Sequence, residues 1–363
     1  MTARVGVPGP TVGSGMRLGL NLGYWSAGSG VENLALAVEA DRLGFSVVWA
    51  AEAYGSDSPT VLAWIAAQTP RIDVGSAVMQ IPARSPAATA MTAATLDTLS
   101  AGRFRLGLGV SGPQVSEGWH GVRFDAPVGR TREYVAIVRQ ILHGERLSHT
   151  GRHYQLPLPD GPGKSLRLTM RPYREHLPIY LAAMGPKNLR LTGEVADGWL
   201  ALFLSPEHAA GDLATIAEGR AWADRTMAGF DVVPTVPLSV HDDVAAAGDR
   251  VRAYAALYLG GMGTRTDNFY NQAARRIGFE QAAEQIQDRY LARDYDGAAA
   301  AVPQEFLDAT ALLGPLERIA ERMQAYAECG VTTLSLSPHG ASFDERVAAL
   351  RTAAAALERS KVT

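Results

Sequence analysis

Two rhythms of apolar and polar positions alternate along this chain. Short unbroken apolar runs read as strands buried on both faces: Met16–Leu22, Phe45–Ala51, Ile72–Met79 and Phe104–Val110. Between them, apolar residues recur at spacings of three and four and predict helices over Val31–Leu43, Pro59–Ala67, an Ala-rich stretch from Ser85 to Leu99, and Pro127–Leu142. Gly44 stands where the first helix must stop, and Pro59 and Pro86 sit in first turns, where a missing N–H costs nothing. Residues 144–177 break the rhythm with Pro- and Gly-dense turns. It resumes with strands at Ile179–Ala183, Asp197–Phe203 and Pro234–Val240, and helices at Lys187–Val195, Pro206–Met227 and Val244–Leu259. Residues 260–313 read as polar and helical, without strand patterns. A helix over Pro315–Cys329, a strand at Thr332–Leu336 and a helix over Phe343–Leu357 follow.

Eight short buried strands alternating with helices imply a parallel sheet with helical crossovers. Closed on itself, such a sheet is an α/β (β/α)8 TIM barrel; a doubly wound open sheet is the structural alternative. No Gly-x-Gly-x-x-Gly follows the first strand, which argues against a dinucleotide-binding Rossmann site. The expected organisation is a disordered leader over 1–15, with Met16 as a candidate start, and one barrel domain over 16–363 with insertions near 144–177 and 260–313. In a barrel the loops after the strands build the site. Here they carry Tyr24-Trp25, Glu52-Ala-Tyr54, Gln80, Ser111–His120, Met184–Lys187, Phe203-Leu-Ser205 and Ser337-Pro-His339.

Composition narrows the function. The apolar fraction of 47% suffices for a large core, and a net charge of −3 disfavours a nucleic acid or an anionic membrane as partner. The single cysteine, Cys329, allows no internal disulfide and reads as structural. No apolar run approaches the roughly 20 residues that span a bilayer, and residues 1–15 hold no apolar signal segment. A cytoplasmic location is expected. His149 and His153 lack acidic companions, so no metal site is expected, and there is no Gly-x-Ser-x-Gly elbow for a serine nucleophile.

The candidate chemistry lies at two strand ends. Phe104–Val110 opens into Ser111-Gly112-Pro113, and the run from Pro178 ends in Gly185-Pro186-Lys187 before a helix. Backbone N–H groups at such turns, and the dipole of a following helix, suit an anion. Two such turns point to one phosphorylated ligand held from two sides.

An ordered set of segments carries a family resemblance: Leu20-Asn-Leu-Gly-Tyr24, Gly44-Phe-Ser-Val-Val-Trp-Ala-Ala-Glu52, Gly75-Ser-Ala-Val78, Gly107-Leu-Gly-Val-Ser-Gly112, Arg130-Thr-Arg-Glu-Tyr134, Pro178–Lys187, Gly193-Glu-Val-Ala-Asp-Gly198 and Gly330-Val-Thr-Thr-Leu334. From about Met16 to His339 the chain resembles the bacterial-luciferase-like flavin and deazaflavin oxidoreductases. It is most similar to the branch that uses coenzyme F420, related to methylene-tetrahydromethanopterin reductase. The resemblance implies a TIM barrel with insertions, F420 as cofactor, hydride transfer at the deazaflavin C5, a small-molecule substrate and a homodimer. It implies a non-prolyl cis peptide at Ala77–Val78 against the back of the ring. Ser111 and Gly112 would lie near the cofactor side chain, Ala183 and Met184 beside the ring or ribityl chain, and Gly185, Pro186 and Lys187 at the phosphate. Lys187 and Arg84 would help hold the anionic tail.

Glu52 matches an acidic position near the polar edge of the ring. Proton-donor candidates are Glu52 and His120, with Tyr24 third. Where F420-dependent sugar dehydrogenases often carry His, this chain has Ala53, and their acid after the fourth strand is replaced by Pro113 or Gln114. Sugar-phosphate oxidation is therefore disfavoured. FMN with monooxygenase chemistry is the alternative, and a non-catalytic ligand-binding paralogue the second. Blander roles fit other residues: Trp49, Trp64 and Trp199 as packing, Arg130, Arg132 and Glu133 as an ion-pair network, and Asp197 as a structural hydrogen bonder at a strand start. Phe269, Tyr270 and Asn271 either face the cavity or pack.

Overall fold

The structure, a computed structural model, describes residues 15–25, 29–170, 172–360 and 362. The expected leader therefore lies outside the described residues except for Gly15. Eight strands form the barrel: β1 Arg17–Asn21, β2 Val47–Ala50, β3 Asp73–Ser76, β4 Phe104–Gly109, β5 Ile179–Ala182, β6 Gly198–Leu202, β7 Asp231–Val240 and β8 Thr333–Pro338. Each pairs in parallel with its sequence neighbours, and β8 pairs with β1, which closes the sheet. The open-sheet alternative is thereby excluded.

Strand alternation sorts the side chains. Val47 and Trp49 of β2 point into the barrel, where they meet Tyr180, Leu200 and Val233. Val48 and Ala50 point outward into the helix layer. That is why these strands read as continuous apolar runs. Trp49 and Trp199 are buried as expected, and Trp64 packs edge-on against Trp25 with ring centroids 5.9 Å apart. Fully burying one Leu, Ile or Phe side chain contributes roughly 1.5–3 kcal/mol, and this core holds dozens of such residues.

The barrel floor, at the amino ends of the strands, is polar and closed. The Arg105 guanidinium reaches Asp73 at 2.8 Å and Asp231 at 3.2 Å. Tyr180 donates to Asp231 at 3.0 Å, Thr333 donates at 2.8 Å, and Arg17 lies 3.2 Å away. Burial alone would raise the Asp231 carboxyl; Arg105, Arg17 and the two threonines hold it below its ordinary value. This network was not foreseen from the sequence. Asp197, at the start of β6, behaves as expected: its carboxylate accepts from Arg139 and from the Ile179 N–H, both at 2.8 Å.

The first insertion contains a two-stranded hairpin, His149–Thr150 with Gln155–Leu156. Glu133 ties it to the helix Pro127–Leu142 by accepting from the backbone N–H groups of Arg152, His153 and Tyr154. Glu133 thus serves the backbone and His149, whereas Arg132 pairs with Glu194 and Arg130 with Asp125, as an ion-pair network would. The second insertion holds helices Phe269–Arg276, Glu280–Leu291, Tyr295–Ala300 and Gln304–Thr310, packed around Ile286, Phe306 and Leu307.

Two details depart from the periodicity. Leu312–Gly314 forms a short strand beside Leu238–Val240, too brief to show a pattern. The helix Val244–Ala256 gives way to a π-helical turn over Leu257–Gly261 instead of continuing to Leu259. Among the described residues no helix is long and apolar enough to cross a membrane.

Candidate functional site

The chain leaves β3 at Ser76 and rejoins the sheet as a two-residue strand, Met79–Gln80, paired with β4. Between them the Ala77–Val78 peptide is cis, as the resemblance implied. Ala77, Val78 and Ala182 pack against the ring cluster inside the barrel. The glycines of β4 explain how the bulge fits. A Cβ on Gly109 would lie 2.5 Å from Val78 Cγ2, and one on Gly107 would lie 1.9 Å from the Ser76 carbonyl oxygen. The Ser76 hydroxyl donates to the Gly107 carbonyl at 2.8 Å and accepts from the Gly107 N–H at 2.9 Å. The Leu-Gly-Leu-Gly pattern therefore serves the bulge next door as much as the turn that follows.

That turn is present. Ser111 adopts a left-handed φ of 63°, and Gly112 precedes a short helix, Pro113–Gly118. The second turn follows β5: Ala183 is buried, Met184 half-buried, and Gly185 precedes the helix Pro186–Val195. No side chain caps that helix, so its first-turn N–H groups and dipole favour an anion. Lys187 is exposed beside it. Arg276, from the second insertion, donates to the Met184 carbonyl at 2.8 Å and brings another cation to the same turn. A shallow groove runs alongside, lined by Met184, Phe203, His208, Asp212 and Arg276 among others. Burial raises the Asp212 carboxyl, with Arg276 acting against it.

Three loops bring the acid–base candidates together. Gln80 Nε2 donates to the Glu52 carbonyl at 2.9 Å, and Gln80 Oε1 lies 2.9 Å from His120 Nε2. With the amide so oriented, His120 donates to Gln80 from Nε2. The Glu52 carboxylate is fully engaged: Oε1 meets Arg84 at 2.5 Å, and Oε2 accepts from the Ser58 N–H and hydroxyl, both at 3.1 Å. Arg84 also pairs with Asp57. Arg84 is thus committed to two carboxylates, which corrects its expected role as a cation for an anionic tail.

Tyr24, 43% exposed after β1, meets a group of tyrosines at the mouth. Burial raises the pKa of its hydroxyl, and the neighbouring Tyr258 acts against that rise. Tyr270 joins that group, whereas Asn271 is buried and holds backbone carbonyls. Of the predicted site residues, Glu52, His120 and Gln80 form one network, Ala77 and Val78 form the bulge, and Tyr24 belongs to a separate aromatic wall.

The family model described as luciferase-like monooxygenase matches residues 19–333. The chain belongs to this family. Within it, the chain is 41% identical over 93% of its length to a Mycobacterium tuberculosis protein provisionally named a coenzyme F420-dependent oxidoreductase, covering 99% of that protein. It is 27% identical to the 5,10-methylenetetrahydromethanopterin reductase of Archaeoglobus fulgidus, over 81% of this chain and 85% of the relative. In fold it matches the coenzyme F420-dependent tetrahydromethanopterin reductase of Methanopyrus kandleri with a TM-score of 0.80 at 23% identity, over 93% of this chain and 97% of that one. The F420-dependent branch of the luciferase-like family is where the sequence sits.

The residues that sequence reasoning passed over are Tyr254 and Tyr258. Their four-residue spacing placed them on one helix face, a signal no different from that of ordinary core positions. Gln80 was placed in a mouth loop, but its bridging role needed the side-chain geometry.

Proposed function

We propose that this luciferase-like protein is an F420-dependent oxidoreductase acting on a small organic substrate. The Ala77–Val78 bulge carries the reading, because it sets a ledge over the ring cluster of the barrel, with Gly109 and Ala182 beside it. A planar ring fits such a ledge, since a Cβ on Gly109 would collide with Val78 and disturb it. The uncapped helix after Gly185, with Lys187 and Arg276 at hand, suits the cofactor's phosphodiester. The names of the relatives support the same group.

When bound, the deazaflavin supplies a hydride donor or acceptor at C5. The chain's own work is positioning and proton handling. Trp49, Tyr180, Leu200 and Val233 fill the barrel beneath the ledge and keep water out from below. His120 is the proposed proton donor or acceptor toward substrate. Gln80 fixes its ring, and Glu52, clamped by Arg84 and Ser58, fixes Gln80 through its own backbone carbonyl. Glu52 thus anchors the loop and leaves proton transfer to His120. Ala53 and the missing acid at Pro113 or Gln114 remain reasons against a sugar-phosphate substrate.

Equilibrium binding of F420 and of FMN to the purified protein tests this reading. Tight F420 binding with weak FMN binding supports it. Preference for FMN replaces it with a monooxygenase, and binding neither replaces it with a ligand-binding paralogue. A cytoplasmic homodimer accompanies the reading, on the strength of the resemblance; light scattering checks the stoichiometry.

A further inference from the structure

A wall of aromatic rings stands at the mouth, on segments other than those that carry Glu52, Gln80 and His120. Tyr254 and Tyr258 have ring centroids 4.8 Å apart, Tyr258 and Tyr270 4.9 Å, and Tyr254 and His339 5.3 Å. Phe203, after β6, meets both Tyr254 and Tyr258 edge-on within 6.0 Å. The Tyr258 hydroxyl also lies close enough to those of Tyr24 and Tyr254 to lower both phenols against burial. The Tyr258 hydroxyl therefore sits between two others.

The π-helical turn is what places Tyr258. Asn268 Nδ2 donates to the Tyr258 and Leu259 carbonyls, each at 3.0 Å, and Asn271 donates to the Leu259 carbonyl at 3.0 Å. Both asparagines are buried, so the turn is fixed from behind. Its outer face leaves Tyr254, Tyr258 and Tyr270 only partly covered, next to the half-exposed Tyr24.

The wall's own side chains offer rings and hydroxyls but no charge, and Arg346, whose charge reaches His339, is already paired with Glu32. Burial holds the Tyr254, Tyr258 and Tyr270 phenols protonated far above neutral pH. Burial also pushes the His339 imidazole down to about 4, so it is neutral in the cell. His339 Nε2 is buried and has no partner among the described residues.

We propose that this wall is the substrate subsite and that it selects an uncharged, planar, apolar molecule bearing one hydrogen-bonding oxygen, an aryl ketone or enone, received by the Tyr24 hydroxyl, with Tyr258 as the residue that positions Tyr24. Flat rings meet edges and faces of other rings favourably, whereas a carboxylate or phosphate here would be desolvated without a counter-charge. The inference deepens the oxidoreductase reading and rests on it for the reaction, but the binding preference is measured without turnover.

The test is calorimetric titration of the full-length protein with benzylideneacetone and with cinnamate, which share a shape and differ by a charge. Each titration is run with and without F420. Benzylideneacetone is expected to bind at least about tenfold more tightly than cinnamate. Tyr24→Phe and Tyr258→Phe should each weaken it by about fivefold, the loss of one hydrogen bond, while F420 affinity stays unchanged. Equal or tighter binding of cinnamate, no binding of either, or indifference to both substitutions overturns the proposal. Loss of F420 binding alone would instead strike the cofactor reading. Tyr258→Phe should also push the Tyr24 titration, followed by ultraviolet absorbance, further above that of a free phenol, because it removes the lowering that the Tyr258 hydroxyl exerts against burial, a change that mere packing would not produce.

Discussion

At the amino ends of the strands, Arg105, Asp73, Asp231, Tyr180, Thr332 and Thr333 join in one network in which each charge faces an opposite one. At the carboxyl ends, polar groups are left with capacity to spare. The helix after Gly185 has no side-chain cap, and among the described residues Asn188 Oδ1 and His339 Nε2 are buried without partners. The floor's charges are so deeply buried that only mutual pairing makes them tolerable. The mouth keeps its hydrogen-bonding capacity for what enters. The same barrel thus closes one end for stability and leaves the other chemically unfinished.

The comparison breaks most directly at Arg105. Arg105→Met leaves Asp231 and Asp73 short of their counter-charge and should destabilise the fold by about 3–5 kcal/mol. Urea unfolding measures this; a cost below about 1 kcal/mol would mean that the floor network does little for stability. At the other end, His120→Ala should reduce turnover of an identified substrate by roughly 100-fold while shifting the unfolding midpoint by less than about 1 kcal/mol. Unchanged turnover would remove His120 from proton transfer.

Asp197 sharpens the contrast through pH. Burial raises its carboxyl, but His176 and Arg139 bring it down to about 2, from an ordinary 3.8. A lowered carboxyl stabilises the fold above pH 4, and that share is lost as pH falls toward 2, about 2 kcal/mol in all. Stability of the wild type should therefore fall more steeply over that interval than that of Asp197→Asn. Equal slopes would assign acid sensitivity elsewhere. The smallest effect is expected at Gly109. Gly109→Ala presses a methyl onto Val78 and should weaken F420 binding by about tenfold with only modest loss of stability. Full F420 affinity in that variant would detach the ledge from cofactor binding.

Much of the barrel was legible before any coordinates. Runs such as Phe45–Ala51 and Phe104–Val110 announced strands because both faces of a barrel strand are buried, one by the interior rings and one by the helices. The turn at Gly185 was legible as a strand-to-helix turn suited to an anion, but the bulge at Ala77–Val78 was legible only through resemblance, since a glycine beside an apolar residue has many uses. Arg84 was misjudged for a related reason: an arginine after a strand looks free until the carboxylates of Glu52 and Asp57 are seen on either side of it.

Local pattern by itself determined the order of strands and helices, the break at 144–177 and which loops face the site, because hydrophobic burial and turn chemistry act over a few residues. The tertiary structure alone decided the rest. Only it could join Arg105 to Asp231 across the barrel floor, bring Gln80 between Glu52 and His120, and set Tyr24 beside Tyr258, far from it in the chain. Those contacts depend on closing the sheet into a ring, and closure is a property of all eight strands at once.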